Sequence, residues 1–431
     1  MKRSYWLFLF PLTLMAFVGP VISYVNVVFT TTTRWLAALA LTVVVIATGR
    51  AVSIFRGPVG LTAIAYLAWC MLTYLWSEVP QLTMMKSVAL ALVVISMLVG
   101  GQQWVARFGW FRAMDYLFPI LALALFAAVF GQDAIEFGDE DLALYTGLAG
   151  NPNMLGSLMN MVIPLILWQC YRFRQQRRLL VAWLAVLAIV LVALLLSISR
   201  ASIVAAAVAI IVFLFAVGIR RNALAYGLAA IVAVGACLAI PGLVDTLEQR
   251  YVKKSASDPE ADIFASRQDV WEESYDLALK GGFLGGGFGV TIGDEDFAGG
   301  FTAVGYGREK GNSQLAIMEE TGIVGLALYV AFLIVLFRMA LIPFRQSVDR
   351  NMKVMGSLVL GALAGLTAQS LFEAWWVAPG SPEAAYFWAL CGVATGLAAE
   401  ARRHARAVRH ATASDAGSRA WRDGSAGGDY R

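Results

Sequence analysis

The chain has 431 residues, of which 59% are hydrophobic and only 14% charged, with a formal net charge of +4 and a mean hydropathy of +0.70. These values exclude a soluble globular domain and require lipid as the solvent. Only two histidines occur, His404 and His410, both near the C-terminus. A histidine metal site or histidine base in the interior is thereby excluded.

Crossing a hydrocarbon core of about 30 Å takes about 20 helical residues. Apolar runs near that length fall at 5–29, 35–49, 58–76, 83–100, 114–131, 153–170, 179–198, 201–218, 223–240, 313–337, 354–374 and 384–399. The sequence therefore predicts an all-α, polytopic integral membrane protein of about 12 transmembrane helices. The first run follows Lys2 and Arg3, is too long for a signal-peptide core and has no small-x-small cleavage site after it, so it reads as a retained span. Cys70, Cys170, Cys237 and Cys391 lie in or at the ends of apolar runs without Cys-x-x-Cys spacing, which argues against disulfides and thiolate metal sites.

Charge orients the spans. Alternate connections carry Arg50 and Arg56; Arg107 and Arg112; Arg172, Arg174, Arg177 and Arg178; Arg220 and Arg221; and Arg338, Arg345, Arg350 and Lys353. The short connections of the opposite set hold only Arg34, Lys86 and Arg200. By the positive-inside rule both termini are cytoplasmic, and residues 401–431 read as a disordered basic tail on the anionic leaflet. Residues 1–400 then form the transmembrane domain. Two outer connections are long: an acidic one at 132–152 and a large one at 241–312, the length of which suits a roof over a membrane-level cavity.

Within the large loop, Ser266-Arg267-Gln268-Asp269 opens an amphipathic helix with Val270, Trp271, Ser274, Leu277 and Ala278 on one side, ending before Gly281-Gly282. Arg267 falls in its first turn, where free N–H groups and a guanidinium together cradle an anion; the competing reading is a solvated arginine paired with Asp269 or Glu273. Arg200, in Ser197-Ile198-Ser199-Arg200-Ala201-Ser202, lies between two apolar spans on the side depleted in arginine. A charge there faces a cavity or partner, or else snorkels. The glycine-rich run 281–289 lacks the Lys-Ser/Thr ending of a nucleotide P-loop and reads as a flexible turn. Glu319 and Glu320 lie at the start of the tenth span, Glu320 being the inward candidate. Asp294-Glu295-Asp296 has no nucleotide pocket beside it and reads as an exposed acidic loop rather than a metal site.

Taken in order, Gly150-Asn151-Pro152-Asn153-x-x-Gly156, Ser199-Arg200-Ala201, Ser266-Arg267 with Trp271, Gly285-Gly286-Gly287-Phe288-Gly289, Asn312-x-x-Leu315 and Glu320-x-Gly322-x-x-Gly325 resemble the bacterial O-antigen ligase / O-antigen polymerase / exopolysaccharide polymerase superfamily, over residues 145–340. The resemblance implies a metal-independent, inverting membrane glycosyltransferase of the inner membrane with no cofactor. Its donor would be an undecaprenyl-diphosphate-linked glycan, and its other partners an acceptor glycan or glycolipid, membrane lipids and a chain-length regulator, with no nucleic acid. It also implies that Arg200 and Arg267 hold the donor diphosphate, with Asn153 and Asn312 in support. Guanidinium forks suit that task, because charge develops on the diphosphate as the glycosidic bond breaks.

Many members carry a histidine just before the residue matching Asn312, taken to activate the acceptor hydroxyl; here the position is Gly311. That departure favours repeat-unit polymerisation over ligation to a lipopolysaccharide core. It leaves Glu309 as first and Glu320 as second candidate base. A lipid-linked oligosaccharide flippase is the alternative of another class, but its ionisable residues should line a central passage, whereas here they cluster at one face.

Overall fold

The computed structural model describes residues 5–49, 54–131, 134–136, 143–217, 265–292 and 310–425. The expected span at 223–240, Cys237, Glu309 and Asp294-Glu295-Asp296 lie outside them. Among the described residues the fold is all-α apart from one short hairpin, β1 (Ala134–Glu136) with β2 (Ala143–Tyr145), paired antiparallel with Ile135 opposite Leu144. Among the described residues, eight helical stretches are long and apolar enough to cross a membrane: Pro58–Leu75, Pro80–Phe108, Trp110–Phe130, Pro152–Arg172, Arg177–Leu196, Ser313–Gln346, Arg350–Gln369 and Pro382–Val408. Three shorter apolar helices, Trp6–Val21, Thr31–Ala47 and Arg200–Phe215, correspond to further expected spans. The chain is a multi-pass membrane protein.

The helices are α1 (Leu9–Val18), α2 (Thr31–Ala47), α3 (Pro58–Leu72), α4 (Pro80–Val93), α5 (Val99–Phe108), α6 (Phe118–Phe130), α7 (Pro152–Arg172), α8 (Arg177–Leu196), α9 (Arg200–Val217), α10 (Ala265–Gly281), α11 (Ser313–Ala340), α12 (Ile342–Gln346), α13 (Arg350–Gln369) and α14 (Pro382–Ser425). Two expectations shift. The first span stops well short of Phe29: α1 gives way to a 3-10 turn at Gly19-Pro20, and the chain leaves through Tyr24 at φ 66°. At the other end, α14 continues to Ser425 where disorder is expected, because the Ala- and Arg-rich sequence past Glu400 has high helix propensity.

Lipid tails are as apolar as leucine, so the helices hold together by close backbone approach. Gly361 and Gly365 of α13 lie against Ala209 and Ala205 of α9, and a Cβ on Gly365 would come within 2.4 Å of the Ala205 carbonyl. Gly101 and Gly392 bring α5 and α14 together in the same way, a Cβ on Gly392 falling 2.2 Å from the Leu98 carbonyl. Burial separates centre from rim. In α7 94% of the spanning window is buried and in α14 89%, against 17% in α8, which faces lipid.

The two ends differ in charge, as the sequence alternation requires. At one end the arginine-bearing turns meet: Phe111 packs edge-on to Trp168 at 5.3 Å, Arg172 stacks over Phe111, and the Tyr171 hydroxyl donates to Asn351. At the other end, Arg34 donates to the Gly380 carbonyl at 2.6 Å and Lys86 to that of Gly289 at 2.8 Å. Arg200 opens α9 there. The helix starts and loops of that end build the candidate site.

Candidate active site

The site end is organised by a break in α11. Gly322 sits at φ 70°, ψ −174°, outside helical space, and an added Cβ would lie 2.2 Å from the Phe283 carbonyl. Only glycine tolerates that conformation at that distance. A broken helix strands backbone groups that lipid cannot satisfy. The glycine-rich segment after α10 satisfies them: the N–H groups of Gly286 and Gly287 donate to the Glu319 and Glu320 carbonyls at 3.0 and 2.9 Å. Ile323 and Val324 donate to Gly282 and Phe283 in return, and the Trp69 indole donates to the Thr321 carbonyl at 2.8 Å. Gly285 also approaches closely, since a Cβ on it would lie 2.4 Å from the Glu320 carbonyl. The segment expected to be a flexible turn is thus a fixed insert in the broken helix.

The break also places the carboxylates. Glu319 and Glu320 are both buried, at 0% and 1% exposure, where the sequence singles out Glu320 alone as inward. Glu320 Oε2 accepts from the Gly289 N–H at 2.6 Å, and its Oε1 lies 2.8 Å from Lys310 Nζ. Glu319 Oε1 accepts from the Ile292 N–H, and its Oε2 lies 3.3 Å from the same ammonium. Lys310 also donates to the Val290 carbonyl at 3.1 Å. Both oxygens of Glu320 are engaged, so its geometry is that of an anchor tying the glycine segment to the chain before α11. Sequence reasoning misses Lys310 in this part, because its partners lie nine and ten residues ahead, across a helix start.

A second polar cluster surrounds Arg200. The link between α8 and α9 turns sharply, with Ile198 at φ 52°, a conformation β-branched residues rarely adopt and one that concentrates at functional sites. The Ser199 hydroxyl donates to Ser202 at 2.9 Å, and Gly156 of α7 leaves room for this link, since a Cβ there would lie 2.5 Å from that of Ser199. Gln369, at the end of α13, donates to Ser157 at 2.8 Å and Ser202 at 3.4 Å. Glu383 at the start of α14 hydrogen-bonds with Ser157 and Ser381.

The chain just after Gln369 joins this cluster to α10 and α11. Ser313 N–H donates to the Ser370 carbonyl at 2.8 Å, and Gln314 donates to the Ser370 hydroxyl at 2.8 Å and to Tyr329 at 3.0 Å. Asn312 caps α11, its side chain accepting from Gln314 and Leu315 N–H and donating to the Leu371 carbonyl. The support expected of Asn312 is therefore a helix cap. Asn151 plays the same part for α7, accepting from the Asn153 N–H, so the motif there works through Asn151 as much as Asn153. Phe372 packs on Trp271 at 5.9 Å. Ser202, two residues after Arg200, and Trp271, four residues after Arg267, thus flank one short stretch of chain, 369–372. The buried side of α10 includes Ser274 and Ala278, as its sequence pattern requires.

Trp271 also explains position 311. Its indole donates to the Gly311 carbonyl at 3.2 Å, and a Cβ on Gly311 would lie 2.9 Å from Val270 and 3.4 Å from the indole. Residues 183–330 match the family described as O-Antigen ligase. That match supports the O-antigen ligase-like superfamily for this chain. The matched stretch contains Arg200, Arg267, Glu309, Gly311, Asn312 and Glu320; comparison with curated proteins finds no match. The helix that carries Arg267 packs where a side chain at 311 would stand. Gly311→His is therefore expected to loosen α10 rather than supply a base. Faster proteolysis within α10, relieved by adding Val270→Ala, would show it; unchanged proteolysis would disprove the clash.

Proposed function

We propose that the protein is an inner-membrane glycan polymerase that transfers an undecaprenyl-diphosphate-linked oligosaccharide to an acceptor glycan on the periplasmic face. Its general function is of the O-antigen ligase/polymerase type. The observation that supports the finer reading is the crowding at position 311: a Cβ there would lie 2.9 Å from Val270, so a histidine requires α10 to shift. In this reading Arg200 and Arg267 hold the donor diphosphate from either side of the 369–372 stretch, with no metal and with inversion at the anomeric carbon. Glu309 accepts the acceptor proton, since Glu320 already serves Lys310 and the Gly289 N–H. The arginine-poor end of the bundle is the periplasmic one and both termini are cytoplasmic, by the positive-inside rule.

The glycan profile of a deletion strain tests the assignment. A polymerase leaves single repeat units and no long polymer. Intact polymer stranded on undecaprenyl diphosphate instead identifies a ligase.

A further inference from the structure

The end of the bundle away from the candidate site has a cavity of its own. It measures about 230 Å³ and is lined by Phe111, Trp168, Tyr171, Arg172, Arg174, Gln175 and Asn351. That is several times the ~30 Å³ share of one water and below the ~300–1,000 Å³ of drug-sized ligand sites. Both lining arginines are held by stacking. Arg172 lies 4.8 Å over Phe111 and 5.1 Å over Phe173, and Arg174 lies 4.3 Å over Tyr171 while donating to the Tyr171 carbonyl at 2.8 Å. Stacking fixes the plane of a guanidinium and leaves N–H edges for an anion. Trp168 is fully buried at 0%, and among the described residues its indole N–H has no hydrogen-bond partner. A buried donor of that kind is costly unless a ligand or water meets it. Asp115 attracts Arg112 and Arg172, but among the described residues it forms no ion pair with either, so it tempers the positive field without closing the site.

We propose that this cavity binds the phosphate of an anionic phospholipid headgroup, Arg172 and Arg174 neutralising it and the Trp168 N–H donating to one of its oxygens. The surroundings suit a lipid. The cavity lies at the ends of α7 and α13, where the arginine-bearing turns gather, and in the proposed orientation this is the cytoplasmic leaflet, where anionic lipids attract basic clusters. Tryptophan and arginine at that depth match the headgroup level of a bilayer. The site is separate from the proposed glycan chemistry, since α7 spans the membrane between Pro152 at the candidate site and Arg172 here.

The test uses the full chain, delipidated in detergent, with phosphatidylglycerol, phosphatidylcholine of the same acyl chains, or inorganic phosphate added. Bound lipid is counted by native mass spectrometry and the thermal midpoint is recorded. Phosphatidylglycerol is expected to be retained and to raise the midpoint. Arg172→Gln with Arg174→Gln should weaken that retention about tenfold or more, phosphatidylcholine being unaffected. Trp168→Phe, which removes the donor and also shrinks the ring packed on Phe111 and Tyr171, should weaken it several-fold and serves if the double variant does not fold. Equal retention of the two lipids by the unaltered chain, or unchanged retention by both variants, overturns the proposal. An equal midpoint shift with inorganic phosphate alone overturns the lipid assignment in favour of a soluble anion.

Discussion

Arg200→Lys is expected to lower glycan transfer by about a hundredfold or more at unchanged folded yield, measured with the purified chain and a lipid-linked donor. Losing one preorganised donor to a developing charge costs about 10²–10³ in rate, and lysine keeps the charge but not the two parallel hydrogen bonds. The structure gives Arg200 the position this requires: it is the first residue of α9, beside the buried Ser197, Ser199 and Ser202, at the end of the bundle where α7, α11 and α14 also begin. Backbone N–H groups at a helix start reinforce the same anion preference. The parameter that falls matters. A loss in kcat as well as in kcat/KM marks an interaction that strengthens as the diphosphate departs, whereas a rise in KM alone marks ordinary donor binding. Arg34→Lys is the control, because Arg34 at the same end is engaged with the Gly380 carbonyl. Wild-type rates from Arg200→Lys would remove the diphosphate role.

The spans were legible because lipid imposes a length on helices, and the arginine pattern separated the two ends because charge is costly between them. Asn312 and Gly322 were visible as a motif, but their parts were not. That Asn312 caps α11 follows from its place before Ser313, whereas the break at Gly322 becomes intelligible only when segment 282–287 fills it. The pairing of Lys310 with Glu319 and Glu320 had no periodic signal, since it joins a loop to a helix across residues that no helical spacing relates. Likewise Gly311 appeared only as a missing histidine; that Trp271 and Val270 occupy the space is a tertiary fact, set by how α10 packs.

The largest expected stability effect belongs to Lys310. Its ammonium is the cation between two carboxylates at 0% and 1% exposure, 3.3 and 2.8 Å away. Removing one partner of a buried ion pair leaves an uncompensated charge and costs about 3–5 kcal/mol. Lys310→Met is expected to reach that range, because two carboxylates then face each other and neither can move without releasing the Gly289 or Ile292 N–H. The consequence should be local first: the glycine segment leaves the break in α11, α10 follows it, and both regain backbone hydrogen exchange before the spans do. Adding Glu319→Gln and Glu320→Gln should recover most of the loss. An amide oxygen still accepts from each backbone N–H, Lys86 keeps its bond to the Gly289 carbonyl, and replacing a whole buried ion pair with neutral groups is often close to neutral in stability. Unfolding of the single and triple variants in detergent, followed with hydrogen exchange over 265–292, checks both steps. If Lys310→Met unfolds with the wild-type midpoint and exchange pattern, the ion cluster does not hold the glycine segment in place.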